Sequence, residues 1–361
     1  MSGLTSFTSV PVVDISGLRS GEPADRAAVA AEIGRAAREV GFFYISGTGL
    51  DPALFDTMLA ATEEFFALPL DRKMASYIGL SSCHRGYVPT GEEGDHSPGS
   101  KPDLKEAFDT ALDLPADDPD HLAGNPMLGP NVWPELPGFA EAVTAYYQAV
   151  LAIGRDLLGA FAIALGEDPD TFLRFATKTP SQLRLIHYWE DPAAEDVQGI
   201  GAHTDFECFT LLKPTAPGLE VLNGAGEWID VPPLPDTFVI NVGDMLELWT
   251  NGEFVATTHR VRKVTEERYS FPLFFNVDYD TVVAPLPQFA DTDGPRRAPL
   301  RAGEHLFAQT AQIFAYLRKR LESGELVLPD GSVGVGTFGQ GARLQPPAGG
   351  FAPTEASAAL P

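Results

Sequence analysis

Gly199-Ile200-Gly201-Ala202-His203-Thr204-Asp205, running on into Phe206 to Leu212, is the most informative stretch of the 361-residue chain. In extended backbone, residues two apart project to the same face, so His203 and Asp205 aim an imidazole and a carboxylate at one point. A third donor is offered by His259, in Ala256-Thr257-Thr258-His259-Arg260-Val261. It follows Asp205 by 54 residues (259 − 205), enough for several antiparallel strands to return the chain to the same end of a barrel. Two neutral imidazoles and one carboxylate on one face of an octahedron leave three positions open, the pattern of non-haem iron(II) oxygenases. Zinc accepts the same donors. A lone His-x-Asp is common by chance, and a lone histidine is more often core or surface, so the weight lies in the combination. Cys208 reads as a small buried side chain rather than a ligand.

Outward from this stretch the chain is β-rich. Leu183 to Tyr188, Phe209 to Leu212, Leu219 to Leu222, Trp228 to Val231, Thr237 to Val242, Phe254 to Val264 and Tyr269 to Val277 are short runs separated by Gly, Pro, Asn and Asp turns. Many evenly spaced strands predict a sandwich or barrel. Nine residues after His259, Arg268 and Ser270 share a face and offer a guanidinium fork and a hydroxyl to one carboxylate. Taken alone, Arg268 reads rather as an ordinary surface residue at a strand start.

Helical spacing marks Ala24 to Val40, and Asp51-Pro52 supplies an N-cap and first-turn proline for a helix reaching Leu68. Gly138 to Leu165 and Ala302 to Leu321 also read as helices. Ser81 to Pro137 carries Gly, Pro, Asp and Ser without a sustained period and predicts a long irregular wall or lid. The expectation is one catalytic domain over 1–361. Within it, 1–180 is a mixed helical part, 181–290 the β-core with the metal site, 291–330 a C-terminal helix and 331–361 a Gly/Pro/Ala-rich tail.

Lys and Arg number 25 against 50 Asp and Glu, a formal net charge of −25. Such a surface repels phosphate backbones and anionic membranes, so neither nucleic acid nor membrane is an expected partner. There are two cysteines, neither in a paired metal-binding spacing, no basic-then-apolar leader, and no evident apolar run near the ~18 residues of a membrane span. A cytoplasmic location is expected, and oligomeric state is left open.

With these residues in view, the chain resembles the isopenicillin N synthase-like branch of the 2-oxoglutarate- and Fe(II)-dependent oxygenases. The matching segments are GAHTD at 201–205, NVGDMLELWTNGEFVATTHRV at 241–261 and RYS at 268–270. Upstream, PVVDIS at 11–16, GFFYISGTGL at 41–50, GYVPTGEE at 86–93, KEAFD at 105–109 and GPNVWP at 129–134 follow in the family's order. Ile186-His187-Tyr188-Trp189 lacks an asparagine and a proline of the plant-like segment, which shifts the likeness toward microbial members, including the bacterial ethylene-forming enzyme.

The resemblance implies a mainly β fold with flanking helices, a double-stranded β-helix or jelly-roll barrel. It implies that His203, Asp205 and His259 bind Fe(II), and that Arg268 and Ser270, helped by Tyr188, hold 2-oxoglutarate. Dioxygen is then the second cosubstrate, and a small-molecule substrate is hydroxylated, desaturated or cyclised with release of succinate and CO2. Arg184 matches an active-site arginine of the ethylene-forming enzyme but equally suits a structural ion pair, while Phe206, Phe209 and Leu248 are candidate pocket walls. The family suggests a secondary-metabolite or amino-acid substrate. Competing readings are an oxidase of the isopenicillin N synthase kind, working without 2-oxoglutarate, and a non-catalytic jelly-roll binding protein.

Overall fold

The computed structural model of the chain describes residues 5–94, 103–190, 199–290 and 298–329. The tail after Gly331 lies outside them. The strands that frame the site are, in chain order, β1 (Val12–Asp14), β2 (Phe42–Ser46), β3 (Gly86–Val88), β4 (Lys105–Ala111), β5 (Gln182–Tyr188), β6 (Ile200–His203), β7 (Phe209–Pro214), β8 (Leu219–Leu222), β9 (Trp228–Asp230), β10 (Phe238–Val242), β11 (His259–Val261) and β12 (Arg268–Phe275).

Eight of them make a major sheet in the order β1-β2-β10-β7-β12-β5-β4-β3, and four make a minor sheet in the order β6-β11-β8-β9. Every pairing in both sheets is antiparallel except β1 with β2. This is the jelly-roll arrangement that the strand pattern and the family likeness imply. Strand alternation assigns the layers. On β5, Leu183 and Leu185 enter the core shared with the flanking helices, whereas Ile186 and Tyr188 join a second cluster that includes Val261 of the minor sheet.

The helix Phe139–Ala164 packs against the helix Pro23–Glu39, the helix Pro52–Phe66 and β12. Gly154 permits the last contact, because a Cβ there would sit 2.4 Å from the Phe275 ring. This helix is 26 residues long and by length and composition apolar enough to cross a membrane, a property that the run-length reading passed over. Its buried face, from Phe139 and Val143 to Leu158 and Phe161, belongs to the principal core. The helix Pro52–Phe66 begins as expected, with Asp51 Oδ1 accepting from the Ala53 amide at 3.0 Å.

Three sequence expectations are corrected. Ser81 to Pro137 is not irregular throughout: it contributes β3 and the fully buried β4, which pairs with β5 along its whole length. Polar composition hid β4, because Lys105, Glu106 and Asp109 are neutralised by ion pairs rather than by solvent. Phe254 to Val264 is not one strand, since ladder pairing is confined to His259–Val261. Ala302 to Leu321 is two helices, Ala302–Ile313 and Ala315–Glu322, broken at an extended Phe314. There the backbone bridges to the Glu92–Gly94 turn: Gly94 N donates to Ile313 O at 3.0 Å and Ala315 N to Glu92 O at 2.8 Å.

Candidate metal centre

His203 ends β6 and lies directly across the ladder from His259 on β11, so both imidazoles occupy one face of the minor sheet. The register slips between His259 and Val261, an irregularity of the kind that re-aims side chains beside active sites. Asp205 lies two residues past the end of β6. One donor atom from each of His203, Asp205 and His259 lies within 4.8 Å of the others. Asp205 Oδ1 is 3.6 Å from both His203 Nε2 and His259 Nε2.

Each group is oriented from behind. His203 Nδ1 is 2.8 Å from Gly201 O and His259 Nδ1 is 3.2 Å from Thr257 O. With Nδ1–H donating to those carbonyls, the lone pair of each ring sits on Nε2, facing the carboxylate. Asn241 Nδ2 donates to Asp205 Oδ2 at 2.7 Å, and Thr210 Oγ1 donates to the same oxygen, leaving Oδ1 for the imidazole side. Burial, then the neighbouring His203, pull the His259 pKa down to about 4, so the ring is neutral at pH 7. Burial works to raise the Asp205 pKa, but His259, His203, Thr210 and Asn241 together bring it below its ordinary value. Two neutral nitrogens and a carboxylate oxygen are a donor set for a divalent cation.

On the opposite wall, Arg268 and Tyr188 are cross-strand partners, with the guanidinium carbon 4.8 Å from the centre of the tyrosine ring. Arg268 is 0% exposed, and its Nε donates to Ala216 O at 3.1 Å. Among the described residues, its Nη1 and Nη2 make no hydrogen bond of good geometry, and the Tyr188 hydroxyl lies close enough to interact with the guanidinium. Ser270, two residues on, is also buried.

Arg184 is committed elsewhere. Its Nε and Nη2 donate to Asp109 at 2.7 and 2.8 Å, and its Nη1 to both Glu93 oxygens at 2.8 and 2.9 Å. Lys105 Nζ extends the chain of charges, 3.0 Å from Glu93 and 3.6 Å from Asp103. Phe206 is partly buried against the cluster between the sheets. Leu248 and Phe209 are instead buried in the principal core with the flanking helices, as is Cys208. Sequence reasoning gave no role to Asn241 and Thr210; the polar positions inside otherwise apolar strands were the available signal.

A jelly-roll barrel with two imidazoles and a carboxylate converging on its minor sheet, opposite a buried arginine whose fork is open, defines the class of mononuclear non-haem metal oxygenases. Residues 10–136 match the family described as the N-terminal domain of the non-haem dioxygenase in morphine synthesis, and residues 179–277 match the 2OG-Fe(II) oxygenase superfamily. The 2-oxoglutarate-dependent dioxygenase caaD of Aspergillus niger is 36% identical over 79% of this chain and 89% of its own length. A homoarginine-6-hydroxylase of Oryza sativa subsp. japonica is 33% identical over 84% of this chain and 96% of its own. Among solved structures, a full-length Neurospora crassa protein in complex with alpha-KG is 26% identical, with a TM-score of 0.72 over 87% of this chain and 96% of that one. The chain belongs to the 2-oxoglutarate- and Fe(II)-dependent oxygenase superfamily, and is a non-haem dioxygenase that uses Fe(II), 2-oxoglutarate and dioxygen to oxidise a small molecule.

Proposed function

We propose that His203, Asp205 and His259 hold the Fe(II), and that Arg268, Ser270 and Tyr188 hold 2-oxoglutarate through its carboxylate remote from the metal. The observation that carries this reading is the Arg268 guanidinium, buried with Nε anchored on Ala216 and, among the described residues, with the Tyr188 hydroxyl but no carboxylate beside its terminal nitrogens. An uncompensated buried charge is strongly unfavourable, and a carboxylate presented to the two terminal nitrogens would remove the penalty in bidentate geometry. The donor set supports the metal assignment, since the Nδ1 bonds fix each ring and the Asp205 Oδ2 bonds fix the carboxylate before any ligand arrives.

When bound, Fe(II) with 2-oxoglutarate and dioxygen supplies oxidation of a substrate C–H bond with release of succinate and CO2. The chain's own residues bind, orient and exclude water: Tyr188 shields the clamp, and Phe206 walls the substrate side. Arg184, saturated by Asp109 and Glu93, shapes that wall without donating to substrate. Leu248 supports the core behind the site. The four expected regions work as one catalytic domain in the cytoplasm, on a small molecule rather than nucleic acid or membrane; the net charge of −25 supports the exclusion of these anionic partners.

The test is succinate formation by the full chain with Fe(II), 2-oxoglutarate and air. Slow turnover without substrate is expected, abolished in His203→Ala. In Arg268→Lys, which replaces a fork by a single ammonium, the KM for 2-oxoglutarate rises roughly 10- to 100-fold. Succinate formation indifferent to both substitutions contradicts the reading, and oxygen consumption without 2-oxoglutarate favours the oxidase alternative.

A further inference from the structure

The loop joining the first two donors is gripped by groups outside the donor set. Thr204, between His203 and Asp205, donates its hydroxyl to Asp244 Oδ1 at 3.0 Å. Asp244 N donates to Asp205 O at 2.9 Å, Met245 N to Glu207 O at 3.1 Å and Gly243 N to Cys208 O at 2.8 Å. The turn at 243–245 is thus laced to the backbone of 205–208, and Gly243 is required there because a Cβ would lie 2.3 Å from Glu207 O.

The other carboxylate oxygen of Asp244 faces a different element. Asp244 Oδ2 is 3.7 Å from Nε2 of His305, in the second turn of the helix Ala302–Ile313. The His305 ring meets Phe206, the residue after the second donor, edge to face with centroids 6.3 Å apart. Asp244 and His305 are both buried, at 0% and 3% exposure. Buried polar groups of this kind cost stability relative to apolar packing.

We propose that Asp244 and His305 are positioning residues of the metal centre, a brace through which the C-terminal helix sets the spacing of His203 and Asp205. This rests on the assignment of His203, Asp205 and His259 as ligands. Neither brace residue touches the metal in this account: Asp244 acts through Thr204 and the Asp205 carbonyl, and His305 acts through Asp244 and Phe206. Outer-shell partners of this kind are worth roughly 10- to 100-fold in metal affinity.

The experiment is calorimetric titration of the metal-free full chain with Co(II), with its visible absorption spectrum recorded alongside, and thermal unfolding of each metal-free variant. His305→Phe and Asp244→Asn are expected to weaken Co(II) binding about 10-fold or more and to alter the spectrum. Thr204→Val, which removes the hydroxyl alone, is the variant of record should either fail to fold, and is expected to weaken binding in the same direction. Gln312→Gly, at an exposed position near the end of the same helix, is expected to lower the melting temperature and leave Co(II) affinity unchanged. If the brace variants bind Co(II) as wild type does while His203→Ala does not, the brace is overturned and the ligand assignment stands. If His203→Ala also binds normally, the ligand assignment itself fails.

Discussion

At the scale of single residues, the site is a set of side chains held ready by their neighbours. Glu207 shows the cost of that packing. Burial, then the Asp205 carboxylate, push its pKa up to about 8 from an ordinary 4.5, so the folded chain keeps a proton that the unfolded chain has released. The penalty is absent below the unfolded value, grows as the pH rises above it, and is complete once the pH has passed the folded one. Glu207→Gln, neutral at every pH, is therefore expected to raise the melting temperature by several degrees at about pH 9 and to change it little at about pH 4. Equal shifts at both would show that Glu207 does not titrate this way. The convergence of His203, Asp205 and His259 was legible in the sequence because candidate ligands are restricted in residue type and strand alternation restricts spacing. Asn241, Thr210, Asp244 and His305 were not, since a polar residue in a strand or helix acquires its role from whichever partner the fold delivers.

At the scale of elements, β4 is the least legible part and the most consequential. Lys105-Glu106-Ala107-Phe108-Asp109-Thr110-Ala111 has three charged residues in seven, yet every position is buried. Each inward charge is met across the ladder or from the Glu93 turn: Lys105 stands beside Tyr188, and Asp109 beside Arg184. Replacing Arg184 with Leu would strand the Asp109 carboxylate inside the barrel and leave Glu93 with Lys105 alone, a loss of about 3–5 kcal/mol. Urea midpoints check this, and the double replacement Arg184→Leu with Asp109→Leu should lose less than the sum of the single changes. Strict additivity would mean that the pair is not coupled. The break at Phe314 has the same origin. Helical periodicity runs through it, but the bridge to Glu93 and the Arg184 guanidinium, 5.5 Å from the ring centre, outweigh local preference.

At the scale of the molecule, two sheets face one another, with the donor set on the minor one and the Arg268 row on the major one. The helix Phe139–Ala164 stiffens the major sheet from outside, and the helix Ala302–Ile313 touches the metal loop through His305. The barrel was legible from strand spacing and from the family likeness. Its division into eight and four strands was not, because pairing partners lie far apart in sequence: β10 inserts between β2 and β7, and β12 between β7 and β5. In the proposed arrangement the two faces together hold one iron and one 2-oxoglutarate. Anaerobic titration of the metal-free chain with Fe(II) and then 2-oxoglutarate, followed by visible absorption, tests it most directly. The expected result is a metal-to-ligand charge-transfer band that saturates at one equivalent of each, is absent in His203→Ala, and in Arg268→Ala requires far more 2-oxoglutarate to appear. A band of wild-type strength and affinity in both variants would contradict it.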